Sequence, residues 1–138
     1  MKITAADHWF SKCVRERAEW RCEKCGKQYP QDSQGLHCHH LITRGNWAVR
    51  FEPLNGVALG YECHIWAEGN PFAVTEWAET ALGENLPILR RKSETLEIGK
   101  QARKCQKEIA AHYKKQNAAQ LAARASGARG RLEFYSWL

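Results

Sequence analysis

The chain has 138 residues, of which 43% are hydrophobic and 26% charged, and its net charge is +6. These values are typical of a folded protein with one compact domain. No run of about 18 apolar residues is present, which excludes a membrane-spanning helix of ordinary composition. The first residues also lack the apolar segment of a secretory signal. We therefore expect a cytoplasmic protein with no membrane partner, and the positive charge favours a polyanionic partner.

The first predicted element is a helix over residues 5–21. Its apolar residues recur at helical spacing: Trp9, Phe10, Cys13, Val14 and Ala18. Thr4 or Asp7 could cap its first turn.

The cysteines that follow predict a metal site rather than disulfides. The six are Cys13, Cys22, Cys25, Cys38, Cys63 and Cys105. An even number would allow disulfides in a secreted protein, but the expected cytoplasmic location disfavours them. Cys22 and Cys25 form a CxxC pair followed by Gly26, which is typical of half of a structural zinc site.

The central segment predicts a hairpin followed by a short helix. Residues 36–42 (LHCHHLI) predict a strand, 43–56 a long loop and 57–59 a second strand. Residues 61–69 have the composition of a short helix ended by Gly69.

A further helix is predicted over residues 72–82. Asn70 and Pro71 form its start, since Asn is a common cap and Pro is tolerated at the first helical position. We expect its aromatic residues Phe72 and Trp77 to belong to the hydrophobic core.

The C-terminal part is basic. Residues 90–131 hold twelve Lys or Arg and three acids, a net charge of +9, which leaves −3 for the rest of the chain. Most of 93–125 consists of helix-forming residues and predicts one or two helices. We therefore divide the chain into a core over residues 1–83 and a basic, mainly helical extension over 84–138. The extension could contact a nucleic-acid backbone or could be an ordinary solvated face.

Histidines in the predicted hairpin indicate a metal site with a further histidine beside it that could act on a water molecule. His39 and His40 are adjacent on the first strand, so their side chains point to opposite faces. Asn55 follows His40 by fifteen positions, and His64 follows Asn55 by nine. A strand–loop–strand–helix hairpin would bring His39 and His64 together around one ion. His40 would then be free to act on a water molecule.

The segments HCHHLI, PLNGVAL and ECH, in this order, resemble the motif of the HNH (ββα-metal) endonucleases over about residues 22–69. The resemblance implies an α+β fold, with a two-stranded antiparallel hairpin plus a helix surrounded by further helices. It implies a metal-dependent DNA endonuclease that hydrolyses phosphodiester bonds. His39 and His64 would bind a divalent Mg²⁺ or Mn²⁺ ion, and His40 would be the general base. Asn55 would hold the loop and help to position the base, or would bind the metal as it does in some members.

Glu68 departs from the family pattern, because many members have a further histidine at this position. Glu68 lies four residues after His64 and therefore on the same helix face. Its carboxylate could still reach the ion directly or through water, and would suit Mg²⁺ or Mn²⁺. A surface glutamate without a metal role is the alternative.

A second departure concerns the zinc knuckle, which accompanies the motif in a large, often phage-borne subgroup. Gly60 stands where a second CxxC pair would begin, so three thiolates remain: Cys22, Cys25 and Cys63. Structural zinc is almost always four-coordinate. His37, Cys38, another group or water would have to complete the site, or the zinc is weak or absent.

Several basic residues are candidates for contacts to DNA phosphates: Arg44, Arg50, Arg90, Arg91 and Lys92. The sequence leaves monomer and homodimer open. One alternative function is a non-catalytic zinc-knuckle DNA-binding protein. A small redox or metal-storage protein is another, but it leaves the His–Asn–His spacing unexplained.

Overall fold

The structure, a computed structural model, describes residues 2–138. Within this range six α-helices surround one two-stranded antiparallel sheet, so the predicted α+β class is confirmed. No helix in it is both long enough and apolar enough to cross a membrane. The elements in chain order are α1 (Ala5–Arg17), β1 (Leu36–His40), β2 (Gly56–Gly60), α2 (Tyr61–Gly69), α3 (Pro71–Leu82), α4 (Asn85–Ser93), α5 (Leu96–Lys104) and α6 (Gln106–Ala125).

Helix α1 begins with a capping box and ends earlier than predicted. The Thr4 hydroxyl accepts the Asp7 N–H at 3.3 Å, and the Asp7 carboxylate accepts the Thr4 N–H at 2.8 Å. The helix ends at Arg17 because Glu19 and Trp20 adopt left-handed backbone angles, with φ of 54° and 59°. A right-handed helix cannot continue through such residues.

The hairpin packs directly against α1. Strands β1 and β2 pair antiparallel, from Leu36 opposite Gly60 to His40 opposite Gly56. Strand β1 is two residues shorter than predicted, and β2 is one residue longer at each end. Glycine at position 56 makes the close approach possible, because a Cβ there would lie 2.7 Å from the Val14 side chain of α1.

The basic C-terminal part shares the core of the rest of the chain. Residues 93–125 hold the two helices α5 and α6, which confirms the predicted one or two, and α4 precedes them. Helix α6 packs along α1. Ile109, Tyr113 and Phe134 are buried in the same hydrophobic cluster as Phe10. The Tyr113 hydroxyl also donates a hydrogen bond to the carbonyl of Phe51. The two parts predicted from the sequence are therefore joined by one continuous core.

Helix α3 corrects one prediction about the core. It starts at Pro71 and ends before Gly83, whose φ is +53°. Phe72, which we expected to be buried, is 87% exposed. The helix instead buries Val74 and Ala78, because these two residues lie on the face that turns towards the protein.

Candidate functional site

A groove of about 830 Å³ contains the motif histidines. Strand β1 supplies His39 and His40 to its lining, and α2 supplies His64. Arg15 from α1 and Arg44 from the loop after β1 also line the groove. Residues that are far apart in the sequence are thus brought to one concave surface.

His39 and His64 are in ring contact. Their centroids lie 5.1 Å apart, with the planes at 84°. His37 lies on the same face of β1, because alternate strand residues share a face, and its ring centroid lies 4.9 Å from that of His64. Burial lowers the pKa of His39 to about 4, and the neighbouring His64 acts in the same direction. His39 is therefore neutral near pH 7, which is the form that binds a metal.

The outer nitrogens of His37 and His64 have protein partners. His37 Nε2 lies 3.1 Å from the Gln34 carbonyl oxygen, and His64 Nε2 lies 2.7 Å from Glu68 Oε1. The two Nδ1 atoms lie 3.3 Å from each other. Glu68 thus contacts the outer edge of the His64 ring, and its carboxylate is 65% exposed. Burial and the adjacent His64 lower the pKa of His37.

His40 points to the opposite face of the hairpin from His39. Its half-buried ring packs against Phe10, with centroids 5.8 Å apart, and its Nε2 lies 3.0 Å from the Arg50 carbonyl oxygen. A carbonyl can only accept, so Nε2 carries the proton and Nδ1 holds the lone pair. Burial lowers the pKa of His40, although the Arg50 carbonyl opposes this shift.

Asn55 closes the loop between the two strands. Its side chain is fully buried, and Oδ1 accepts the Ile42 N–H at 2.7 Å. Its Nδ2 donates to the carbonyls of Ile42 at 2.9 Å and Val49 at 3.0 Å. The Leu41 N–H adds a bond to the Asn55 carbonyl at 2.9 Å. Asn55 therefore fixes the segment that follows His40.

Arg50 does not face solvent, so the prediction that it contacts DNA phosphate is wrong. The residue is 1% exposed, and its Nε and Nη2 donate to the two carboxylate oxygens of Asp7 at 3.0 and 2.6 Å. Burial alone would raise the pKa of Asp7, but the Arg50 guanidinium holds it below its ordinary value. Arg50 is a structural residue whose carbonyl also holds His40.

Arg15 is a groove residue that the sequence did not mark. Its Nε donates to the Ser11 carbonyl at 3.2 Å, and its guanidinium lies 4.8 Å from the Trp20 ring centroid. It sits on a helix with no motif around it, and nothing in the local sequence distinguishes it from an ordinary surface arginine. Arg44, by contrast, was predicted as a phosphate contact and does line the groove.

The predicted basic cluster Arg90, Arg91 and Lys92 lies on α4 and is not part of the groove lining. Lys92 forms an ion pair with Glu52 at 3.0 Å, and Arg90 lies 3.9 Å from Glu79. Helix α4 packs on α3 and on the short 3₁₀ turn Pro53–Asn55. These side chains therefore belong to another part of the surface.

Three cysteines form a second candidate metal centre. The sulfur atoms of Cys22, Cys25 and Cys63 all lie within 4.8 Å of one another, so they could hold a metal ion. Burial would raise the pKa of Cys22, but backbone N–H groups including that of Gly60 lower it below its ordinary value. Burial and the two neighbouring thiols raise the pKa of Cys63 to about 12.

No fourth side chain of a usual metal-ligating type joins this cluster among residues 2–138. His37 contacts His64 instead, and the half-buried Cys38 packs against the core. At position 60, a Cβ would lie 2.9 Å from ring carbon Cζ of Tyr29 and closer still to its hydroxyl. Tyr29 therefore fills the space that a cysteine side chain would need.

Comparisons with models of protein families, with curated proteins and with solved structures find no match for this chain. Inference about function therefore rests on the geometry of the groove and of the cysteine cluster, together with the motif that the sequence contains.

Proposed function

We propose that the protein is a metal-dependent DNA endonuclease of the HNH type. The observation that carries this proposal is the contact of the His39 and His64 rings, 5.1 Å apart, in a groove that His40 also lines. Imidazoles are suitable ligands for a divalent ion, and a carboxylate nearby favours a hard one such as Mg²⁺ or Mn²⁺. A bound ion would supply a Lewis acid that stabilises charge on a phosphoryl oxygen.

In this proposal His40 is the general base. Its Nε2–H is held by the Arg50 carbonyl at 3.0 Å, which leaves Nδ1 as the acceptor for a proton of the attacking water. Packing against Phe10 and the carbonyl contact restrict rotation of the ring. Asn55 supports this arrangement, because it fixes the segment that follows His40 in the chain.

A phosphodiester substrate fits the charge of the groove. Arg15 and Arg44 are the basic residues in its lining, while the acids there, Asp7 and Glu68, contact Arg50 and His64. Guanidinium groups bind phosphate with paired hydrogen bonds. DNA is therefore the proposed partner, and its affinity should fall steeply as the salt concentration rises.

A plasmid-relaxation assay with Mg²⁺, Mn²⁺ or Ni²⁺, and with EDTA as the metal-free control, tests the proposal. We expect the supercoiled plasmid to become nicked with at least one ion and to stay intact with EDTA. Linear product would appear later, because a single site cuts one strand at a time. Intact plasmid with every ion would overturn the nuclease.

DNA binding without cutting in the same assay would favour a non-catalytic DNA-binding module. The observation behind this second candidate is the cluster of Cys22, Cys25 and Cys63, for which we propose zinc because thiolates are its usual structural ligands. Elemental analysis of purified protein should find about one zinc per chain.

A further inference from the structure

Helix α1 presents one outward face along the edge of the groove. His8, Ser11 and Arg15 line the groove, and their spacing of three and four residues places them on one side of the helix. Lys12 shares this side, because it follows His8 by four positions, and Trp9 lies next to it on the helix. The outward face of α1 therefore continues from the groove to a lysine and a tryptophan that the proposed reaction does not use.

Two lysine side chains from different helices meet at the Trp9 ring. The Lys12 ammonium lies 5.9 Å from the ring centroid, and the ammonium of Lys114, on α6, lies 5.6 Å from it. Both distances are within the range of cation–π contacts. The His8 ring contacts the Trp9 ring edge-on, with centroids 5.0 Å apart. Trp9, Lys12 and Lys114, which we call the Trp9 cluster, thus lie directly beside the groove lining.

The Trp9 cluster carries more positive than negative charge. Lys12 forms an ion pair with Asp32 at 3.0 Å, and the Asp32 side chain is exposed. Such a solvated pair contributes little free energy, so a phosphate can compete with the carboxylate for the ammonium. Lys114 is exposed and forms no ion pair with any residue of the range 2–138. The half-buried Trp9 ring therefore holds two positive charges at one place on the surface.

We propose that the Trp9 cluster binds the phosphate backbone of the same DNA molecule that lies in the groove, with Lys12 and Lys114 each contacting a phosphate. The proposal rests on the proposed function, which supplies the DNA, and extends its contact surface from the groove over α1 to α6. Duplex DNA carries one phosphate per about 3.4 Å of axis in each strand, so a strand that leaves the groove past His8 brings phosphates to both ammoniums. These contacts position the DNA and do not read its sequence.

The salt dependence of DNA binding tests the proposal, because it counts the phosphates that the protein neutralises. A short, fluorescently labelled duplex is titrated with the full chain at several salt concentrations. Mg²⁺ and Mn²⁺ are omitted, so that the duplex stays uncut, and no chelator is added that would remove metal from the cysteine cluster. We expect Lys12→Gln and Lys114→Gln each to reduce the slope of log affinity against log salt by about 0.9, and the double variant by about 1.8.

Two further variants separate a phosphate contact from a general loss of charge. Lys27→Gln is the matched control, since Lys27 is exposed and its ammonium lies 5.2 Å from the Tyr29 ring, outside the groove lining. It should keep the slope of the unmodified chain. Lys114→Arg should keep it as well, because arginine is also a cation that contacts aromatic rings. If the double variant and Lys27→Gln had equal slopes, the proposal would be overturned.

The two proposals can fail separately. If the slope falls as expected but no ion supports plasmid cleavage, the phosphate contact is retained and the nuclease is rejected. If the plasmid is cut but every variant keeps the slope of the unmodified chain, the nuclease is retained and its DNA does not pass over α1. A duplex that fails to bind the unmodified chain at any salt concentration also rejects the contact at the Trp9 cluster.

Discussion

The groove and the cysteine cluster differ in what holds their candidate ligands. At the groove, two histidine rings have one nitrogen on a protein acceptor: His64 on Glu68 and His40 on the Arg50 carbonyl. In the cluster, the thiols of Cys22, Cys25 and Cys63 lie close together; backbone N–H groups hold the pKa of Cys22 below its ordinary value, while burial and the neighbouring thiols raise that of Cys63.

From this difference we expect that a bound metal would have a different effect at each of the two sites. The groove is arranged by contacts within the protein, so an ion there should add reactivity more than stability. The cluster brings together three groups that cannot all ionise side by side without a cation. Metal bound at the cluster should therefore stabilise the fold, because the three thiolates come together only when the segments that carry them are folded.

The largest effect that we expect, and the one that best distinguishes the groove from the cluster, is on the rate of DNA cleavage. We expect His40→Ala to reduce the rate of plasmid nicking by about 10²- to 10⁴-fold, the usual contribution of a general base. Binding of Ni²⁺ and of DNA should be unchanged, since the ring lies on the opposite face of β1 from His39. Nicking rates, calorimetry and a DNA-binding titration measure the three quantities.

Two controls accompany this variant. His112→Ala should cut at the rate of the unmodified protein, since His112 contacts the Tyr135 carbonyl outside the groove. Cys63→Ser should show the opposite pattern, with less bound zinc and a lower free energy of unfolding. If His40→Ala nicked plasmid at the rate of the His112→Ala control, His40 would not be the base and the groove would lose its catalytic role.

A second, smaller effect is on the stability of the protein, through the hydrogen bonds that fix the segment after His40 beside the groove. Asn55→Ala removes three side-chain hydrogen bonds, one buried and two partly buried, and leaves the N–H and carbonyl of Ile42 and the carbonyl of Val49 without these partners. We expect the free energy of unfolding to fall by about 3 kcal/mol, because each buried polar group left unsatisfied is costly. Urea denaturation measures the change.

The control for this prediction is Asn70→Ala. Asn70 is exposed, and its side chain donates a hydrogen bond to the carbonyl of Trp66, four residues earlier in the chain, at 2.9 Å. Its loss should cost about 1 kcal/mol or less. If the two variants unfolded at the same urea concentration, the loop would not depend on Asn55, and the view that protein contacts arrange the groove would be weakened.

The features of the groove that depend on residues close together in the chain could be predicted from the sequence. The alternation of side chains along β1 separates His39 from His40, and the spacing to His64 places that ring on the helix after β2. The bounds of α2 were predicted correctly, since Gly69 and Asn70 end the helical pattern. These features follow from residues that are close in the chain.

Long-range packing explains what the sequence did not reveal. Arg50 is buried because Asp7, on α1, supplies a carboxylate for its guanidinium. His37 contacts His64 rather than the cysteines because it lies on the same face of β1 as His39. Neither contact could be predicted from the residues next to Arg50 or His37 in the sequence. The glycine at position 60 is also explained by a residue distant in the chain, because the Tyr29 side chain occupies the space that a side chain at position 60 would need.

The smallest predicted effect tests this explanation of Gly60. Gly60→Cys alone should not tighten zinc binding, because its Cβ would lie 2.9 Å from Tyr29 Cζ and the ring blocks the space. The double variant Gly60→Cys with Tyr29→Ala removes the obstacle next to the cluster. We expect its affinity for Zn²⁺ to exceed that of the Tyr29→Ala variant by about tenfold, which corresponds to about 1.4 kcal/mol.

Competition with a zinc-binding dye measures these affinities, with Tyr29→Ala as the reference for the lost ring. Gly60→Ser with Tyr29→Ala is the matched control, since it places a Cβ at the same position without a thiol. If this control bound Zn²⁺ as tightly as the cysteine variant, relief of crowding alone would account for the gain. The cluster would then bind its ion with the three thiolates that it already has. The expected difference between the cluster and the groove in their dependence on metal would be smaller.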